Sequence, residues 1–364
     1  MSAAGAGREP GRAAPRRAAR RPVRLPDGAV VLAVETSCDD TSAAVVAGRE
    51  VRSSVVSSQD ELHARFGGVV PEVASRRHTE LVAAVVAEAL ARAGAGFADL
   101  DAVAVTQGPG LIGALLVGLA TAKAVACRHR LPLVPVHHLQ GHVAASYALG
   151  VEAPFLCLVA SGGHTLLVAV REGVDYRVVA ATLDDAAGEA FDKGARLLGL
   201  GYPGGRELDA LAARGDPGFA RFPRAARRLR GFSFSGLKTA LLYDLRGRAP
   251  DEVERHRADL AASYQAAIVE QLVERTLAAA AEEGLSRVAV GGGVAANRGL
   301  RETLAARCRA AGLDLFLPPP SLCTDNAAMV GLAAAFLPAL PWPEYLGLDA
   351  FASDAEARPR RRAR

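Results

Sequence analysis

The sequence predicts an α/β protein of two duplicated lobes facing a central cleft. Three observations carry that expectation. A strand, a small polar turn, a hairpin and then a helix occur in that order twice, about 125 residues apart. Both opening strands run straight into turns rich in small and polar residues, "ETSCDDT" and "ASGGHT". The chain has 364 residues, half of them apolar and few aromatic, which is enough for two cores packed from Ala, Val, Leu and Gly.

The elements follow in order. "AVVLAVET" (29–36) reads as the first strand, and 42–58 as two β-rich runs around Gly48. Residues 79–93 read as a helix, 101–106 as a strand, 111–128 as a helix, and 131–138 as a short strand running into histidines. The pattern restarts with a strand at 154–160 and a hairpin at 166–182. A long helix at about 258–283 precedes a third strand (286–293), and 323–337 is a turn opening a helix that Asp325 or Thr324 can cap. This order resembles the actin, sugar-kinase and heat-shock ATPase fold class. The division it suggests is a basic tail (1–28), a first lobe (29–150), a second lobe (151–347) whose last helix packs back on the first, and a second tail (348–364). Both tails are expected to be disordered.

The net charge of +4 is misleading. Residues 1–28 carry seven Arg against two acids, residues 358–364 carry five Arg and no acid, and the body between them is acidic. Nucleic-acid contact by the body therefore needs a local patch. Segment 214–238 is one, with basic residues and four phenylalanines interleaved, although an Arg-rich loop with its phenylalanines in the core reads the same way. Five scattered cysteines without a C-x-x-C pair point to reduced thiols in the cytoplasm. The apolar run 111–127 contains Lys123 and several glycines, so it reads as a buried helix rather than a membrane span.

Three of eight histidines fall in "VPVHHLQGH". His138 and His142 are four apart and share a helix face, so they can hold one cation. His137 points elsewhere. A zincin protease needs a glutamate beside the first histidine, and that place is Leu139. A pair of core or capping histidines is the plain alternative. Asp325 would complete two imidazoles and a carboxylate with open positions, a set suited to Fe(II) or Zn(II); its plain alternative is a helix cap. The turns at Ser161–Gly163 and "GGGVAANR" suit phosphate or a nucleoside at a helix N-terminus. Asp192, on a helical stretch with Asp185, Glu189 and Lys193, can bind ribose hydroxyls or simply belong to a solvated face.

Ten ordered motifs, among them "ETSCDDT", "GGVVPEVASRRH", "VHHLQGH", "SGGHT", "DDAAGEAFDK", "FSFSGLKT", "GGGVAANR" and "CTDNAAM", resemble the tRNA threonylcarbamoyltransferase family, formerly labelled glycoprotein endopeptidases. The resemblance spans about 29–340. It implies transfer of a threonylcarbamoyl group from threonylcarbamoyl-adenylate to the exocyclic amine of the adenosine beside the anticodon, in tRNAs reading ANN codons, with release of AMP. It implies one divalent metal per subunit, Fe(2+) favoured and Zn(2+) the alternative, held by His138, His142 and Asp325. Val159, Ala160, Ser161, Gly162, Gly163, Asp192, Gly205, Asp209 and Asn297 would line the adenylate site, and Asp39 is the candidate general base. Implied partners are tRNA, an inactive paralogue of the same fold and a small ATPase, with no membrane. The sequence departs from the pattern at Arg206 (usually Pro), Ala160 (commonly Val) and Ala296 (commonly Ser). Two other readings compete. A metalloprotease needs a base beside the histidine pair, and a regulatory nucleotide-binding ATPase or sugar kinase turns over ATP without a transferable acyl group.

Overall fold

A computed structural model of the protein describes residues 21–224 and 230–353. The disorder expected of 1–20 and 354–364, and the basic residues Arg227 and Arg228, lie outside the described residues. Two five-stranded sheets form the frame. The first contains β1 (Val30–Glu35), β2 (Asp40–Ala47), β3 (Glu50–Ser58), β4 (Ala102–Gly108) and β5 (Leu133–His137), in the order β3-β2-β1-β4-β5. The second contains β6 (Phe155–Ala160), β7 (Thr165–Glu172), β8 (Asp175–Ala181), β9 (Arg287–Gly291) and β10 (Asp314–Phe316), in the order β8-β7-β6-β9-β10.

The two orders match strand for strand. In each sheet the first three strands form antiparallel hairpins, and the last two add in parallel. The local cause is the same in both. Two-residue turns at Gly48 and Gly173, each with positive φ, close the second hairpin. Parallel addition needs a crossover, which the helices Pro71–Ala93, Ile112–His129, Arg257–Glu283 and Arg298–Ala310 provide. The duplication expected from element order is therefore present.

Some boundaries differ. The helix expected at 79–93 starts at Pro71, whose fixed φ suits a first helical position. His138 opens the helix His138–Ala144 rather than ending a strand. Strand β10 is three residues long, too short for a periodic signal.

Apolar side chains pack on the outer faces of both sheets, and a third cluster joins the inner faces. That inner cluster includes Ala33 and Val46 of the first sheet, Cys157 and Val168 of the second, and the helix Ala327–Ala334. This helix follows the second sheet in sequence but lies on the first. Its Ala327 N–H donates to Ser42 Oγ at 2.9 Å, and a Cβ at Gly331 would come within 2.6 Å of Val46. The chain then stays on the first lobe: Leu340 pairs with Leu133 and Ala339 with Val23. Lys123 Nζ donates to the carbonyls of Leu346 and Leu348, and Gln107 Nε2 to that of Asp349. Residues 21–28 and 348–353, placed in the tails on composition, are thus tied to the fold by single bridges and carbonyl bonds that leave no apolar pattern.

The helix Ile112–His129 is long and apolar enough to cross a membrane by length and composition. One of its faces packs on the helix Pro71–Ala93 and on β4, and Gly118 meets Thr36.

Candidate metal centre and nucleotide cleft

Strand β5 delivers the histidines to the cleft. His137 ends the strand and its Nδ1 accepts the Leu139 N–H, capping the next helix. One turn of that helix then puts His138 and His142 on a common face, with ring centroids 4.8 Å apart. Asp325 approaches from the turn before the helix Ala327–Ala334. The expected cap at Asp325 or Thr324 is corrected here. Asn326 takes that position, its side chain accepting the Met329 N–H, so the Asp325 carboxylate is free to face the histidines.

Asp325 Oδ1 lies 3.6 Å from His138 Nε2 and 3.3 Å from His142 Nε2. Ligand atoms about 2.1 Å from a tetrahedral ion are about 3.4 Å apart, so the spacing fits one small divalent cation. Each of the three residues offers a ligand atom within 4.8 Å of the others. A second observation agrees. His142 is fully buried, yet among the described residues its Nδ1 has no hydrogen-bond partner and its Nε2 has only the 3.3 Å contact with Asp325. A buried unpaired polar group is costly, and a cation at Nε2 would remove half of that cost. Asp325 keeps 26 % of its side-chain surface exposed, so the open side of the set faces the cleft.

Sequence reasoning missed the residue behind His138. Glu35, the last residue of β1, is fully buried, with its Oε2 3.2 Å from His138 Nδ1. Burial alone would lower the His138 pKa, but Asp325 and Glu35 together push it up to about 9. Burial likewise opposes ionisation of Glu35 and Asp325, yet the facing imidazoles hold both carboxyls below their ordinary values. The ring of His164 lies 6.2 Å from that of His138, and burial followed by the two neighbouring histidines lowers its pKa to about 4. At the start of β2, burial and then the charges of Asp325 and Asp39 raise Asp40 to about 7. Asp39 thus stands in an acidic turn, where its charge also reaches Cys38 and Tyr202.

The second half of the cleft is built from backbone. Val159 and Ala160 are fully buried on β6, so they can present main chain only. The turn beyond them is closed by Ser161 N–H to the His164 carbonyl (2.8 Å) and by His164 N–H to Ser161 Oγ (3.1 Å). Gly162 and Gly163 are exposed, and a Cβ at either would meet nothing within 4 Å, so a ligand can approach their backbone closely. At Gly292, φ is +86° and a Cβ would strike the Ala160 carbonyl at 2.3 Å. Glycine is required there because the two turns lie in contact.

The polar side chains expected at this site are already engaged. Asp192 Oδ1 accepts the Gly204 N–H at 2.9 Å. Burial raises its pKa against the opposing amides of Gly204 and Gly205, where the next helix begins. Lys193 turns away from it to bridge Asp185 and Glu189. Asp209 and Asn297 are joined by Gln265, a second residue the sequence did not flag. Gln265 Nε2 donates to Asp209 Oδ1 at 3.0 Å, and its Oε1 accepts from Asn297 Nδ2 at 2.8 Å. Asp209 Oδ2 also accepts the Arg298 N–H, and Asn297 Oδ1 caps the helix Arg298–Ala310.

The basic segment changes character. Arg224 is ion-paired with Glu270 and, at 3.7 Å, with Glu274. Phe232 and Phe234 are buried, Phe222 packs on Tyr264 and Phe219 stacks on His256. The phenylalanines are core residues rather than a stacking platform for bases.

Residues 50–332 match the family model described as tRNA N6-adenosine threonylcarbamoyltransferase. The chain is 52% identical over 314 residues to a Cyanothece protein of that name, covering 84% of this chain and 91% of that one. Among solved structures it is similar to the HypF of T. kodakarensis (TM-score 0.59, 16% identity, 86% of this chain and 48% of that one). It is also similar to component A of the Acidaminococcus fermentans (R)-2-hydroxyglutaryl-CoA dehydratase (TM-score 0.54, 15% identity, 85% and 97%). At such identity these two likenesses show the fold alone, the two-lobed actin, sugar-kinase and heat-shock ATPase class.

Proposed function

The chain belongs to the tRNA N6-adenosine threonylcarbamoyltransferase family, and from that premise we propose how its cleft performs the transfer. The exocyclic amine of the adenosine beside the anticodon attacks the carbamoyl carbon of threonylcarbamoyl-adenylate. A C–N bond forms, the C–O bond to the phosphate breaks, the amine loses a proton and AMP leaves. The observation that carries this reading is the convergence of His138, His142 and Asp325 at ligand spacing in the cleft that the glycine turns also line.

His138, His142 and Asp325 would hold one divalent metal, Fe(2+) in preference to Zn(2+). Such an ion supplies Lewis acidity to a carbonyl or carboxylate oxygen of the threonylcarbamoyl group. The exposed backbone at Gly162 and Gly163 would donate its N–H groups to the phosphate, as turn amides do for anions. Asp192, Gly205, Asp209 and Asn297 border the nucleoside, and Ser161 with the main chain of Val159 and Ala160 shapes the turn. Asp39, in the acidic turn opposite, receives the amine proton. Much of the rate then comes from holding the amine over the face of the carbonyl, with the leaving phosphate fixed. The protease reading is not favoured, because Glu35 is sealed behind His138 with no surface for a water.

The acidic body would meet tRNA through local basic groups and the Arg-rich tails. An inactive paralogue and a small ATPase would complete the cytoplasmic assembly. Ile112 and Leu116, exposed four residues apart on one helix, offer an apolar face for such a partner.

A transfer assay tests the reading. The protein, with partner proteins added, receives unmodified tRNA together with threonine, bicarbonate and ATP, from which the adenylate is made in place. Digested nucleosides are then weighed. A threonylcarbamoyl-adenosine peak is expected. Cleavage of a glycoprotein without any modified nucleoside, under every partner combination, would overturn it.

A further inference from the structure

We infer that Glu35 is a positioning residue that aims His138 at the ion, and that it makes His138 the anchored ligand of the set and His142 the adaptable one. This rests on the metal reading above.

A fully buried carboxylate needs a reason, because burial without partners is expensive. Glu35 has three partners. Its Oε1 accepts the Ser37 N–H at 2.5 Å, and its Oε2 accepts the Thr106 hydroxyl at 2.5 Å. The third is His138 Nδ1 at 3.2 Å from Oε2, with Ser37 Oγ also 3.2 Å from that nitrogen. A carboxylate can only accept, and the Ser37 amide can only donate. In the neutral, metal-binding form of the ring, the contact with Glu35 therefore puts the hydrogen on Nδ1 and leaves Nε2, 3.6 Å from Asp325 Oδ1, for the ion. A cation between Nε2 and Oδ1 would take the place of a second ring hydrogen.

Charge points the same way. Glu35 and Asp325 bring two negative charges to a site walled by apolar strands. A divalent ion held there would offset both. His142 contrasts with His138: its Nδ1 has no hydrogen-bond partner among the described residues, so packing alone holds its ring from behind. Carboxylates that orient ligating imidazoles typically change metal affinity about 10–100-fold when removed.

Glu35→Gln keeps the shape and reverses one donor. The amide oxygen can still accept the Ser37 N–H, but its NH2 would face Nδ1. His138 must then accept at Nδ1 and carry its hydrogen on Nε2, where the ion belongs.

The test uses the full chain, stripped of metal and titrated with Co2+ against a chromophoric chelator. Parent, Glu35→Gln, Thr106→Val and His142→Ala are compared, and the visible Co2+ spectrum and Tm are recorded for each. Glu35→Gln is expected to weaken Co2+ binding about 10–100-fold and to shift the spectrum, with a folded circular dichroism signature. Thr106→Val should weaken it by a smaller factor, and His142→Ala should abolish it. If His142→Ala abolishes binding while Glu35→Gln binds like the parent with the same spectrum, Glu35 is structural and the inference is wrong. If Glu35→Gln does not fold, Thr106→Val decides, and unchanged Co2+ affinity in that variant overturns the inference. If His142→Ala itself binds Co2+ like the parent, the metal reading fails first.

Discussion

The two halves of the cleft are built on opposite principles. In the metal half, side chains converge and are left incomplete. His142 is buried, its Nδ1 has no hydrogen-bond partner among the described residues, and its Nε2 meets the Asp325 carboxylate at 3.3 Å. In the nucleotide half, side chains are complete before any ligand arrives. Asp192, Asp209 and Asn297 already spend their hydrogen bonds on Gly204, Gln265, Arg298 and the Leu300 N–H. What remains exposed there is backbone, at Gly162 and Gly163. The first half is poised to gain from a cation. The second is a rigid frame that presents amides.

The largest expected effect separates the halves directly. His142→Ala should remove bound metal and lower turnover by about 10²–10³-fold or more, while Tm stays near the parent value. A large core does not need this set as a staple. Metal content by mass spectrometry and Tm by calorimetry check it, and an unfolded variant would make the site structural.

The converse holds across the cleft. Asn297→Ala deletes a helix cap and the Gln265 bond together, and should cost about 1–2 kcal/mol of stability. Turnover at saturating adenylate should fall far less than in His142→Ala, with the loss in KM. A stability unchanged in urea titration would mean that Asn297 serves the ligand rather than the frame.

Asp40 gives a smaller effect with a defined sign. Its folded pKa is raised to about 7, chiefly by burial, above the ordinary carboxylate value. The protonated form is thus favoured in the fold. That stabilisation is present at low pH and is lost as pH rises through about 7. Asp40→Asn should therefore raise Tm of the metal-free protein at pH 8 and leave it unchanged near pH 4. A shift that is equal at both pH values would place the Asp40 carboxyl in solvent.

The tails should matter least for chemistry. A chain of 21–353 is expected to keep its turnover, and its tRNA affinity should depend less steeply on salt. An unchanged slope between 50 and 200 mM salt, a range over which phosphate contacts are strongly weakened, would relieve the tails of any RNA role.

Much of this was legible in the sequence because it is written locally. The strand, polar turn, hairpin and helix met twice in the same order announce the duplication, and His138 and His142 at helical spacing announce a shared face. What stayed hidden is held by distance in the chain. Glu35 ends an apolar strand and reads as its polar terminus, and only the fold brings His138 to it from 103 residues away. Gln265 lies inside a 27-residue helix where nothing marks it as a bridge. Asp325 stood between a cap and a ligand until Asn326, one residue on, took the cap. The phenylalanines of 214–238 carried the same pattern for core and for RNA, and burial decided for the core.

The central claim is that the incomplete half of the cleft is completed by one divalent ion that transfer requires. Chelator-stripped protein should be inactive in a single-turnover transfer assay and should regain activity with Fe2+ or Zn2+, saturating at one ion per chain. Asp325→Ala should bind tRNA like the parent yet stay inactive at every metal concentration. Full transfer by the stripped protein, or by Asp325→Ala, would contradict the account.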